Sequence, residues 1–193
     1  MNSKNKEYGI KPEPRADFSN LNLESLDLSG LDLTEANFSG ARLKYVNFEG
    51  SILAGANFTD ANLRYGEFEN TNLNNACFYG ADLTGSSLSK ANLERADLRF
   101  ATLIDCYLVE TDFKYANLWN GIVDYADIRN GKFAWATLEY VNFINSDLTG
   151  ADLISADCIG ANFEGANLKN ANLTNAILTG AIITDEQLES AIH

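Results

Sequence analysis

The sequence is poor in the residues on which most enzymes rely. It has one histidine, His193, and that is the last residue. No histidine-based triad or histidine-rich metal centre can be built from it. Three cysteines, Cys77, Cys106 and Cys158, cannot all pair within one chain, so the cytoplasm is the expected compartment. The opening stretch MNSKNKEYGIKPEPRADF contains no apolar run, and neither a signal peptide nor a membrane anchor is expected there. Basic residues are scarce: 14 Lys and Arg stand against 27 Asp and Glu, a formal net charge of −13. Direct nucleic-acid binding needs the opposite sign, because phosphate contacts dominate that affinity. Anionic membranes are disfavoured too, and protein partners with basic surfaces are favoured.

What the sequence has in abundance is a period. Residues 161–181 read ANFEGANLKNANLTNAILTGA, with Ala at every fifth position and Leu, Phe or Ile two residues later. Taking that bulky residue as the centre, i, the register runs from Phe18 to Ile183 without an insertion, through 34 pentapeptides. Thirty centres are Leu or Phe; the exceptions are Val123, Ile128, Cys158 and Ile183. Position i−2 is Ala in 20 of the 34, and i−1 is mostly Asp or Asn. Two apolar residues flanking a polar one are the mark of a short strand with one buried face. The remaining two residues must then turn the chain. Position i+2 is rich in Gly, Asn and Asp and never holds Val, Ile or Thr. That fits a residue with positive φ at the third position of a type II turn. Bulky residues at i+2, such as Tyr45 and Trp135, lead us to expect that turns of another type coexist.

Phenylalanine sets the size of the coil. Every centre Phe belongs to a set spaced by twenty: Phe18, Phe38, Phe58 and Phe78; Phe48 and Phe68; Phe113 and Phe133; Phe143 and Phe163. Residues twenty apart should therefore stack, with four pentapeptides to a coil of square cross-section. The first Phe set and Leu98, Leu118 and Leu138 share one face. At about 4.8 Å per coil, some eight and a half coils give a rod roughly 40 Å long. Right-handed coiling follows from the bias of parallel crossovers. Four i−2 side chains share the narrow interior with four bulky centres, so they must be small. Leu21, Leu26 and Leu31 break that rule together in the first coil, where an open end leaves room and where Tyr8 and Ile10 are candidates to cover it.

ADLTG at 81–85, ANLER at 91–95, ADLRF at 96–100, ANFEG at 161–165 and ANLKN at 166–170 resemble the A(D/N)LXX motif of the pentapeptide-repeat family. The resemblance covers residues 16–183. It implies an all-β, right-handed quadrilateral parallel β-helix, the fold already reached from the spacing. It implies no single activity. Some members resemble duplex DNA in shape and charge and bind type II topoisomerases such as gyrase, giving quinolone resistance; several of those carry loops that this chain lacks.

The organisation expected is an extended leader over 1–15, the β-helix over 16–183 and a short C-terminal cap helix over 184–193. Thr184 and Gln187 form a capping-box pair there, and Leu188, Ala191 and Ile192 give the helix an apolar side. The helix reads as a lid that protects strand edges, so a monomer is favoured, with a dimer through this end as the alternative. No catalytic, cofactor or metal site is expected. Cys106 and Cys158 fall at inward positions, and Cys77 points outward without an adjoining basic cluster to activate it. Consecutive acids such as Asp147, Asp152 and Asp157 lie on different faces. Lys132 stacks between Asp112 and Asp152 and reads as charge balancing, and the Asn ladders read as side-chain bonds to neighbouring backbone.

What remains is surface. In the coil grid Tyr79, Phe100, Trp119 and Tyr140 follow one edge of the rod, with Arg99 among them, and Tyr115 and Trp135 stack on the neighbouring edge. These residue types dominate binding hot spots. From Phe133 onward there are eight acidic residues and one basic one, Lys169. The surface leads us to expect a rigid non-enzymatic module that binds a protein partner; the alternative, implied by the family resemblance, is a DNA-mimicking modulator of gyrase that gives quinolone protection.

Overall fold

The computed structural model describes residues 11–193. The proposed cover by Tyr8 and Ile10, and most of the leader, lie outside the described residues. From Asp17 to Ile192 the chain is a ladder of parallel bridges between i−1 residues twenty apart, beginning Asp17↔Asn37 and ending Asn172↔Ile192. Twenty residues thus make one circuit, and each circuit has four short strands joined by four turns.

A pentapeptide with Asn or Asp at i−1 can account for all of its own N–H groups, as residues 56–60 show. Ala56 N donates to Leu53 O (3.0 Å) and closes the preceding turn. Asn57 N donates to Ala36 O (2.9 Å) one coil back, while Phe58 N and Asp60 N donate to Cys77 O (2.6 Å) and Tyr79 O (2.9 Å) one coil on. The fifth, Thr59 N, is taken by the Asn57 side chain, Oδ1, at 3.0 Å. This last bond explains the Asp/Asn preference at i−1: either side chain offers the same acceptor oxygen to the i+1 N–H. It recurs from Ser19 N to Asp17 Oδ1 (3.0 Å) up to Thr174 N to Asn172 Oδ1 (3.1 Å). Asn-to-Asn bonds along the ladder also occur, as from Asn57 Nδ2 to Asn37 Oδ1 at 3.3 Å.

The expectation of a second turn type is overturned. Every i+2 residue from Arg15 to Gly180 has φ between +53° and +72°, including Tyr45 at +60° and Trp135 at +63°. The turns around them close with Val46 N to Leu43 O (3.1 Å) and Ala136 N to Phe133 O (2.9 Å). Left-handed backbone costs an unbranched residue about 1–2 kcal/mol. The coil tolerates this because the i+2 N–H gains an inter-coil partner, as Trp135 N does at Ile154 O (3.0 Å).

The centres form one continuous core. Phe18, Phe38, Phe58 and Phe78 stack with ring centroids 4.9–5.0 Å apart. Phe48 meets Phe38 and Phe58 edge-on from the next face but one, at 5.4 and 5.9 Å. The face continues through Leu98, Leu118 and Leu138, all fully buried. Of the three first-coil leucines, Leu26 is buried, Leu31 half-buried and Leu21 exposed. Where Ser or Thr replaces Ala at i−2, its hydroxyl finds a carbonyl: Thr71 donates to Phe48 O (2.9 Å) and Ser146 to Val123 O (2.6 Å).

The helix α1, Asp185–Ser190, opens with a complete capping box, in which Thr184 Oγ1 accepts from Gln187 N (3.2 Å) and Gln187 Oε1 accepts from Thr184 N (2.8 Å). It occupies the place of one pentapeptide. Gln187 Nε2 donates to Phe163 O (2.6 Å) and Ala166 O (2.8 Å), carbonyls of the coil beneath. The chain then re-enters the ladder, with Ile192 N on Ala171 O (2.8 Å) and Leu173 N on Ile192 O (2.7 Å).

Candidate interaction edge

Position i+1 and position i+2 form the corners of the coil, so side chains there stand along the four edges of the rod. Tyr79, Arg99 and Trp119 are i+1 residues twenty apart, and Phe100 and Tyr140 are i+2 residues of the same edge. The structure brings three rings into contact. Tyr79 and Phe100 meet edge-to-face at 5.4 Å, and Phe100 and Trp119 do so at 4.9 Å. Phe100 is 42% exposed, Tyr79 is exposed and Trp119 half-buried. Tyr140 is exposed but makes no ring contact with Trp119 among the described residues. Its ring lies over Gly160 instead: a Cβ built there would be 2.6 Å from Tyr140 Cδ1.

Arg99 is not a free cation. Nε and Nη2 clasp Asp97 Oδ1 and Oδ2 at 2.8 and 2.6 Å, and the guanidinium sits 5.4 Å from the Tyr79 ring centroid. The guanidinium bonds hold the Asp97 carboxyl below the usual carboxylate range. Arg129 clasps Asp127 in the same way, at 2.7 Å for both bonds. These two arginines balance charge inside a pentapeptide, between i−1 and i+1, whereas Arg15, Arg42 and Arg64 pair with acids one coil away. Lys132 does bridge Asp112 and Asp152 in the ladder, but it forms no ion pair with either among the described residues.

On the neighbouring edge the expected stack is absent. Tyr115 and Trp135 make no ring contact among the described residues; Arg95 lies over the Tyr115 ring at 4.9 Å and leaves Trp135 alone, 57% exposed. Two features were missed in the sequence. Tyr45 and Tyr65 stack at 5.3 Å on another edge, with Lys44 4.8 Å over Tyr45. Their twenty-residue spacing was a sufficient signal. A cleft of about 620 Å³ also lies between α1 and the last coil, lined by Ala166, Leu168, Lys169, Thr184, Gln187 and Ser190. It had no sequence signal, because it depends on how the helix sits.

The cysteines separate by depth. Burial pushes the Cys106 and Cys158 thiols up to about 12. Cys106 Sγ also donates to Leu83 O at 3.1 Å. Cys77 is half-buried, 3.4 Å from Thr59 Oγ1. Among the described residues no group of three or more His, Cys, Asp or Glu could hold a metal ion, and no helix is long and apolar enough to cross a membrane.

A pentapeptide repeat region model matches residues 21–98, and a model of pentapeptide repeats in eight copies matches residues 91–130, 132–170 and 156–192. The chain belongs to the pentapeptide-repeat family. No curated protein matches this pentapeptide-repeat chain. Among solved structures it resembles HetL, a pentapeptide repeat protein involved in heterocyst differentiation regulation from the cyanobacterium Nostoc sp. strain PCC 7120. That match has 30% identity and a TM-score of 0.52, and covers 98% of this chain and 92% of HetL. It also resembles QnrB1, a plasmid-mediated fluoroquinolone resistance protein, at 20% identity and a TM-score of 0.61, over 90% of this chain and 96% of QnrB1. The second likeness is one of fold. Both neighbours form right-handed β-helices, and this pentapeptide-repeat chain is a right-handed β-helix as well.

Proposed function

We propose that this pentapeptide-repeat protein is a rigid, non-enzymatic interaction module that binds a protein partner through its outer faces, with the Tyr79–Phe100–Trp119 edge as the principal contact. The observation that carries this is the contiguous ring cluster at the surface, held on corners whose i+2 N–H groups are bonded to the next coil. Rigid aromatic anchors lose little freedom on binding, and such residues dominate hot spots. The partner's complementary surface is basic, to match a net charge of −13. In this reading α1 is a lid, the rod is a monomer in the cytoplasm, and the cleft beside α1 is a consequence of the lid. Affinity capture tests it, with the wild type and a Phe100→Ala/Trp119→Ala double variant as baits. A partner held by the first and lost by the second, at unchanged melting temperature, is the expected outcome. Equal retention would move the contact off this edge.

A second reading rests on the fold shared with QnrB1 and on the acidic surface: a DNA mimic acting on gyrase. Over about 40 Å, duplex DNA carries roughly 24 charges at one per 1.7 Å, against 13 here. The mimicry is therefore partial, and we rank it second. Gyrase supercoiling with and without a quinolone, at two salt concentrations, decides it. Inhibition or drug protection that weakens with salt would bring this reading to the front.

A further inference from the structure

The aromatic edge has a repeat length of its own. Along the i+1 row, Tyr79 and Trp119 are two coils apart with Arg99 between them; along the i+2 row, Phe100 and Tyr140 are two coils apart with Asn120 between them. Each row therefore presents a large ring every second coil, about 9.6 Å at the usual strand spacing. The two rows are offset by one coil, so the rings zigzag along the edge. The edge-to-face contacts of Phe100 with Tyr79 and with Trp119 fix the zigzag in place.

An extended β-strand does not match this repeat, because its same-face side chains recur at about 6.6–6.8 Å. A polyproline II helix does. It has three residues per turn and a rise of about 3.1 Å, so one face recurs every 9.3 Å or so. Aromatic-lined surfaces are where proline-rich segments dock, with little ordering cost because the ligand is already extended.

The charges beside the rings select among such segments. Asp60 stands one coil before Tyr79 on this edge, Glu139 adjoins Tyr140, and Asp157 lies one coil beyond on the same face. None of the three is in an ion pair among the described residues. The one cation among the rings, Arg99, is turned back onto Asp97. The edge is thus apolar along its crest and negative at its margins.

Resting on the docking role proposed above, we infer that this edge binds a proline-rich, basic segment of a partner protein in the polyproline II conformation. The crest of touching rings runs from Tyr79 to Trp119, two coils or about 9.6 Å, enough for roughly one turn of such a helix. Prolines three residues apart would pack on Tyr79 and Trp119, over the Phe100 ring that fills the gap between them, and the Arg or Lys residues would face Asp60 and Glu139.

The test uses the whole chain and three labelled 12-residue peptides, read by fluorescence anisotropy. One alternates prolines with arginine at every third position, one keeps the arginines but replaces proline by glycine and serine, and one keeps the prolines but carries glutamate. Binding of the first peptide, at least tenfold tighter than of the other two, is expected. Trp119→Ala should weaken it roughly tenfold or more, and Glu139→Lys, which leaves the rings intact, severalfold. Tyr107→Ala, on a different face, should leave it within twofold. Equal binding of the glycine–serine peptide would reduce the effect to charge and overturn the inference, as would binding indifferent to Trp119→Ala or none at all. If the peptides fail while Trp119-dependent capture of a partner persists, the docking edge stands and its polyproline ligand does not.

Discussion

At each corner of the coil the i+2 residue holds φ near +60° whatever its side chain. This makes the choice of residue there a matter of two separate costs. The first is Cβ strain, which is mild for Asn or Tyr and severe for a β-branched residue. Tyr125, at φ +58°, isolates it. Tyr125→Val should destabilise the protein by about 1–2 kcal/mol, whereas Tyr125→Gly should be neutral or stabilising; thermal melts of the two variants give opposite shifts. The second cost is the neighbour one coil back. At Gly85 a Cβ would meet the Tyr65 ring at 2.5 Å, so this glycine answers to a side chain twenty residues away as well as to its own φ. The i−1 carboxylates supply a pH dependence. Asp32 accepts from Thr34 Oγ1 (2.7 Å) and N (3.1 Å), and these bonds, the hydroxyl's first, hold its carboxyl below the usual range. The unfolded chain therefore takes up this proton first. The stabilisation is complete above the unfolded value near pH 4 and is lost as pH falls through the lower folded one. Asp32→Asn keeps the acceptor oxygen and should flatten the acid limb of the stability profile without lowering stability at pH 7.

The pentapeptide is the cooperative element, and its interior is crowded by design of the chain path. Ala116 is fully buried beside bulky centres, so Ala116→Leu should overpack the coil and cost about 1–3 kcal/mol by denaturant titration. Phe58 stacks between Phe38 and Phe78 and meets Phe48 and Phe68 edge-on. Its truncation to Ala should cost about 3–5 kcal/mol. The same depth divides the thiols. In the native protein an aromatic disulfide reagent should titrate only Cys77, and all three cysteines in denaturant. Rapid native labelling of Cys106 or Cys158 would mean that the coils open locally, since both thiols are buried and pushed up to about 12.

Over the whole molecule, one apolar column runs from Phe18 to Leu173 with no polar break other than hydroxyls already bonded to carbonyls. Each coil touches only its neighbours, so stiffness comes from the unbroken run of inter-coil hydrogen bonds. The end behaves differently. Residues of α1 are at most half-buried, and the capping box is the main local constraint on its start. Thr184→Ala should cost about 0.5–2 kcal/mol locally and show as faster amide exchange over 185–190, with the exchange of the central coils unchanged. The acidic surplus is also a property of this scale, since ion pairs run from Arg15–Glu35 to Arg129–Asp127 while, among the described residues, no acid beyond Phe133 is in one.

The period of five and the stacking distance of twenty were legible in the sequence because one buried pair recurs without a slip and the phenylalanines keep their own interval. So were the inward alanines, the outward edges and the capping box at Thr184, each of which depends only on local spacing. Tertiary structure alone decided what the side chains on those edges touch. Long side chains at the corners can reach forward, backward or within their own pentapeptide at similar cost. Arg99 chose Asp97, Arg95 chose the Tyr115 ring, and Tyr140 lay down over Gly160 rather than beside Trp119. The uniform left-handed φ was likewise a decision of the whole coil: hydrogen bonds to the neighbouring coils impose one turn geometry on every corner, and side chains as large as Trp135 yield to it.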